Sequence, residues 1–202
     1  MTHRETSSSP PHPDDTPLQR FGAMLRQCRQ QRRLSQSALA ATTGIRPSYI
    51  SQIELGKRNI TVLTLLRLAR ALGIPSAWLL IHVNPHDILA PPRTDDPLPT
   101  RGDPKAGATQ DTPYAALPDD PALLLARLGT AIRQARQQRH LSQQLLAART
   151  GLSPTYIVEI EQGHRNLSVL SLSRIAETLE ITAADLLAQL DTSQHSSSLP
   201  TE

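Results

Sequence analysis

The chain has 202 residues, a formal net charge of +3 and a pI near 9.5. Seventeen prolines set against three tyrosines, one tryptophan and one phenylalanine point away from a large enzyme core. The lone cysteine, Cys28, excludes an intramolecular disulfide and a multi-thiolate metal site, as suits a reducing compartment.

Residues 1–17, MTHRETSSSPPHPDDTP, hold prolines and consecutive serines with almost no apolar content, so a disordered N-terminal arm is expected. The arm lacks the apolar stretch of a secretion signal, and no run approaches the roughly 18 apolar residues of a membrane span. A soluble, cytoplasmic chain follows as the expectation.

Residues 18–83 read as a domain of five short helices. Leu18, Phe21, Leu25 and Cys28 recur at helical spacing, and Cys28 sits on that stripe as a small packing residue. Ser35 is placed to cap helix 2 and Gly44 to end it. Pro47 suits the first turn of helix 3, Thr61 the cap of helix 4 and Gly73 its close. A fifth helix is expected through Trp78–Ile81. Residues 84–121 contain many prolines and no period, which predicts an extended linker.

Residues 122–190 then repeat the first domain. Positions 21–80 and 128–187 align without a gap at an offset of 107, with 33 of 60 pairs identical. Such an offset exceeds solenoid periods of roughly 20 to 50 residues and predicts two independent globules rather than a stacked array. Leu125, Leu128, Ile132 and Ala135 repeat the helix 1 stripe, Ser142, Gly151, Pro154 and Ser168 repeat the caps and breaks, and helix 5 is expected at Ala183–Leu190. Residues 191–202 read as a disordered tail.

In each copy the stretch from Gln36 or Gln143 onward has helix-turn-helix spacing. Ala40 and Ala147 lie where the next helix approaches, Gly44 and Gly151 make the turn, and Ile50, Ile53, Ile157 and Ile160 anchor the second helix. That arrangement lets the N-terminal half of the second helix enter a major groove while the first helix and the amide dipole grip phosphates.

Both copies resemble the Cro and phage-repressor (xenobiotic-response-element) class of helix-turn-helix domain through LSQxxLAxxTG, SYIxxIExGxRN and a closing LAxxL followed by LL. The resemblance implies an all-α fold: two tandem five-helix lambda-repressor-like DNA-binding domains joined by the Pro-rich linker. It also implies roles. Gln36 and Gln143 match the position that contacts phosphate and braces the recognition helix. Pro47, Ser48, Ser51 and Gln52 match groove-facing positions, with Arg46 just before them. Their counterparts are Ser153, Pro154, Thr155, Val158 and Glu159. Lys57, Arg58 and Asn59 match a phosphate-gripping loop, as do Arg165 and Asn166, with His164 in place of the lysine. The acids Glu54 and Glu161 are expected to pair with Arg29 and Arg136. Tyr49 and Tyr156 suit either packing or phosphate contact, and the run Arg26, Arg29, Arg32 and Arg33 suits either a solvated face or DNA contact.

The copies also differ. Residues 21–80 carry nine basic and one acidic residue, residues 128–187 six and five. With Glu159 standing where Gln52 stands, the second copy is expected to bind DNA more weakly, or to serve as a partner surface. His140 and His164, in place of Arg33 and Lys57, would strengthen it in mild acid.

A linker of this length reaches about 35 Å, close to the roughly 34 Å between successive major grooves. One chain can thus occupy two half-sites as an intramolecular pseudo-dimer. The competing arrangement is a homodimer through Trp78, Leu79, Leu80 and Ile81. The reading is a prokaryotic or phage-type regulator of transcription, a repressor acting by operator occupancy on double-stranded DNA, with no cofactor, metal or small-molecule ligand expected. Related alternatives are an antitoxin or restriction-modification controller, or an antiactivator that turns the same surfaces to a protein. An enzyme is disfavoured: no nucleophile with a partnered base, phosphate loop or metal-ligand spacing is present.

Overall fold

A computed structural model describes residues 16–80 and 120–192. Among these the structure is helical. Helices α1 (Pro17–Gln31), α2 (Gln36–Thr43), α3 (Pro47–Glu54) and α4 (Val62–Leu72) are followed by a 3₁₀ segment at Ser76–Leu80; α5 (Pro121–Gln138), α6 (Gln143–Thr150), α7 (Pro154–Glu161), α8 (Val169–Thr178) and α9 (Ala183–Thr192) form the second repeat. The expected arm, linker and tail lie outside the described residues, apart from a few at their edges. Those edge residues belong to helices. Thr16 and Gln19 form a reciprocal capping box that starts α1 at Pro17, and Asp120 accepts from the Ala122 amide to start α5 at Pro121.

Local chemistry sets the other boundaries. Ser35 and Ser142 accept from the amides of Ala38 and Leu145 at 3.0 and 3.1 Å. Gly44 and Gly151 end α2 and α6 in the left-handed conformation. Ser168 caps α8 by accepting from Ser171 N–H. Thr61 occupies the N-cap of α4 without a side-chain cap bond, and its hydroxyl meets that of Thr64 at 3.0 Å. The fifth element of the first repeat is a 3₁₀ turn rather than an α-helix; Pro75 stands just before it, where the second repeat has Thr182. The Thr182 hydroxyl accepts from Asp185 N–H and caps a full helix.

The two cores match residue for residue. Phe21, Leu25, Leu39, Ile50, Ile53, Leu65 and Leu68 are buried in the first repeat, as are Leu128, Ile132, Leu146, Ile157, Ile160, Leu172 and Ile175 in the second. Gly22 and Gly129 let α1 and α5 lie directly on the ends of α3 and α7. A Cβ at Gly22 would sit against the carbonyl of Ile53 and 2.7 Å from that of Glu54; at Gly129 it would meet the carbonyls of Ile160 and Glu161.

The repeats face each other across a reciprocal seam. Thr61 and Ser168 form an antiparallel bridge, in which Val62 N–H donates to Leu167 O and Val169 N–H to Ile60 O, each at 2.9 Å. Leu63 N–H then donates to Asn166 Oδ1 and Leu170 N–H to Asn59 Oδ1, both at 3.3 Å. These donors are first-turn amides of α4 and α8, which have no partner within their own helices. Each repeat therefore caps the other's fourth helix. Beside the bridge, the 3₁₀ segment packs on α9, and Leu79, Leu80, Leu186, Leu187 and Leu190 are buried. The apolar surface expected for a homodimer is thus covered within one chain at Leu79 and Leu80. Trp78 is half-buried, and Ile81 lies outside the described residues.

Candidate nucleic-acid interface

A buried ionic clasp positions each candidate recognition helix. Arg29 donates to Glu54 through Nε at 2.6 Å and Nη2 at 2.9 Å, while its Nη1 reaches the Leu34 carbonyl at 2.7 Å. Gln36 Nε2 closes the set on Glu54 Oε2 at 2.8 Å. Arg136, Glu161, Leu141 and Gln143 repeat it with donor distances of 2.6, 3.0, 2.7 and 2.9 Å. A planar fork meeting a carboxylate fixes orientation as well as distance. Bonding to the carboxylate raises the pKa of both guanidiniums against the opposing effect of burial. The clasp ties α1, α2 and α3 together at the C-terminal end of α3. Pairing of Arg29 with Glu54 and of Arg136 with Glu161 is as the sequence suggests, and Gln36 and Gln143 brace their recognition helices with one amide hydrogen left over.

On α3, Arg46, Pro47 and Ser48 are exposed and Ser51 and Gln52 half-buried; on α7, Ser153, Pro154 and Thr155 are exposed and Val158 and Glu159 half-buried. The opening residues differ in role. Ser153 caps α7 by accepting from Tyr156 N–H at 3.2 Å, whereas Arg46 makes no side-chain cap bond and leaves its guanidinium on the surface.

The loops after these helices fold back on them. Arg58 Nε donates to Gln52 Oε1 at 2.6 Å, with its guanidinium carbon 5.9 Å from the centre of the Tyr49 ring. This contact favours a packing role for Tyr49. In the second repeat, Arg165 Nε donates to Glu159 Oε2, also at 2.6 Å, and that bond raises the Arg165 pKa. Lys57 and His164 are exposed on the same loops. Asn59 and Asn166 also reach across to the other repeat: their Oδ1 atoms cap its fourth helix, while Nδ2 is the donor a phosphate would take.

The arginine run also divides. Arg29 is in the clasp, and Arg32 Nη2 donates to the Gly73 carbonyl at the end of α4, as Arg139 does to Glu180 in the second repeat. Arg33 is exposed in a left-handed conformation, and Arg26 is half-buried. Sequence reasoning missed the crossed asparagine caps, the loop-to-helix bonds from Arg58 and Arg165, and the close approach at Gly22 and Gly129. The last had a signal: glycine recurs at the same place in both copies, inside a helix.

Known proteins resemble one repeat at a time. The transcriptional regulator RamB of Mycobacterium tuberculosis is 42% identical over 57 residues, covering 28% of this chain and 12% of RamB. The control protein C.MunI of a Mycoplasma species is 35% identical over 66 residues, 32% of this chain and 89% of its own. Among solved structures, the restriction-modification controller C.AhdI of Aeromonas hydrophila matches at 34% identity with a TM-score of 0.30, covering 31% of this chain and 94% of that protein. The clp gene regulator ClgR of Corynebacterium glutamicum matches at 30% identity with a TM-score of 0.33, covering 33% and 71%. The helix-turn-helix family model matches twice, at residues 25–79 and 132–186, and the chain belongs to that family as a tandem pair.

Proposed function

We propose that this chain is a sequence-specific, double-stranded DNA-binding regulator of transcription that represses by occupying its operator. In this reading α3 and α7 enter two major grooves, Gln36, Gln143, Lys57, Arg58 and Arg165 hold phosphates, and the residues at the starts of α3 and α7 read bases. The observation that carries it is the reciprocal seam: crossed caps and a shared bridge hold the two repeats together, which supports reading them as a single-chain pseudo-dimer. A pair held this way meets an operator at an intramolecular effective concentration, so affinity requires no second chain.

Names among the relatives support regulation in two forms. RghR of Bacillus subtilis is a transcriptional repressor, 39% identical over 64 residues, and C.MunI is a control protein. The second favours a restriction-modification controller as the neighbouring reading, with the same contacts and a different genomic setting.

Selection of duplexes from a random library by the intact chain tests the proposal, beside the double variant Lys57→Ala/Arg58→Ala and the single variant Arg165→Ala. The expected result is a bipartite site bound by one chain, with affinity reduced in both variants and a shallower salt dependence. A site lost only with the Lys57 and Arg58 variant makes the second repeat a protein-binding module. An intact chain that selects no duplex, while folded, overturns the proposal in favour of the antiactivator reading.

A further inference from the structure

The two repeats present different hydrogen-bonding chemistry from the same point of equivalent helices. In the first, Arg58 Nε occupies Oε1 of Gln52. That leaves both Nε2 hydrogens and a second lone pair on Oε1, a donor beside an acceptor. In the second, Arg165 Nε occupies Oε2 of Glu159, leaving only acceptor positions on the carboxylate. The clamps have the same length, 2.6 Å, and the same spacing of six residues, so side-chain chemistry rather than backbone placement makes the difference.

Surrounding charge follows suit. Residues 46–59 hold three basic residues and one acidic, whereas residues 153–166 hold one basic and two acidic. The second reading head nevertheless has a means of approaching DNA. The Arg165–Glu159 bond offsets the carboxylate charge, and the guanidinium has further N–H donors with which to reach a phosphate. Val158 replaces Ser51 one residue earlier and adds an apolar contact of the kind that suits a thymine methyl.

Resting on the proposed operator-binding reading, we infer that the two half-sites are unlike: Glu159 takes a cytosine, through its N4 amino group, at the position where Gln52 takes an adenine. Cytosine offers an amino donor in the major groove without the neighbouring N7 acceptor that adenine and guanine turn toward a carboxylate. Gln52 matches the donor and acceptor of adenine together. The operator is therefore a hybrid, and a palindrome is the poorer ligand.

The test uses the full-length chain and its selected site, rebuilt as three duplexes: the hybrid, a palindrome of the half read by the first repeat and a palindrome of the half read by the second. The wild-type chain should bind the hybrid about tenfold more tightly than the first palindrome. Glu159→Gln should remove or reverse that preference, and Gln52→Glu should move the first half-site toward cytosine. Thermal melting of both variants checks that folding is intact. A palindromic site selected by the wild type, or a ranking unchanged by Glu159→Gln, overturns the hybrid operator while leaving DNA binding in place. Failure to select any duplex overturns both.

Discussion

The Arg29–Glu54 fork is buried, so each partner is required by the other. Arg29→Ala strands a carboxylate in the core beside Gln36 and should destabilise the first repeat by about 3–5 kcal/mol, read by chemical denaturation. Cys28 gives a pH-dependent counterpart. Burial pushes its thiol from an ordinary value of 9.0 up to about 11. Above pH 9 the unfolded chain ionises Cys28 while the folded chain holds it neutral. Its contribution is therefore complete below pH 9 and is lost as the pH rises toward 11, a loss of about 2–3 kcal/mol at most. Cys28→Ala, which installs the residue found at position 135, should abolish that part of the alkaline decline in a stability profile measured from pH 8 to 11. Arg29 and Glu54 were legible as a pair through the family resemblance alone. The bond from Arg58 to Gln52 was not, because a long side chain on a loop has no sequence period to reveal where it turns.

At the scale of elements, the repeats also differ in how the fourth helix ends. Gly73 adopts φ 61° after α4 without steric cost, whereas Glu180 holds φ 53° at the equivalent position after α8. A residue with a Cβ is strained there by about 1 kcal/mol. Glu180→Gly should therefore raise the stability of the second repeat by up to about 1 kcal/mol in a thermal or urea melt, with the Arg139 bond to the backbone carbonyl retained. Caps, breaks and apolar stripes made most helices readable, since Ser35, Gly44, Pro47, Ser142, Gly151 and Pro154 act on their own immediate neighbours. The 3₁₀ turn at Ser76–Leu80 escaped because LL recurs in both copies, while Pro75 against Thr182, a difference at the start of the element, lies outside the apolar pattern. Asn59 and Asn166 escaped for a deeper reason: their partners are 111 and 103 residues away in the chain.

For the whole molecule, the seam and the connection through residues 81–119 act together. Introducing a protease site into that stretch and cutting it should leave both repeats folded and, on the proposed reading, convert DNA binding from a one-chain to a two-fragment reaction. Apparent affinity at nanomolar concentration should then fall by about 10²–10⁴ and recover as fragment concentration rises, as measured by fluorescence anisotropy. Equal affinity before and after cutting would show that the connection contributes nothing once the seam has formed. The repeat predicted two similar globules; their mutual docking depends on amides and asparagines that look ordinary in either copy alone.

The crossed caps also bear on inheritance. When two recognition heads come from separate polypeptides, a cell carrying a sound and a defective allele assembles mixed pairs, and the defect spoils its partner. Here Asn59 and Asn166 join heads translated from one message. On the proposed one-chain reading a damaged head remains with its own sibling, so loss-of-function alleles should be recessive, and each head can change its groove-facing residues independently so long as its asparagine cap is kept.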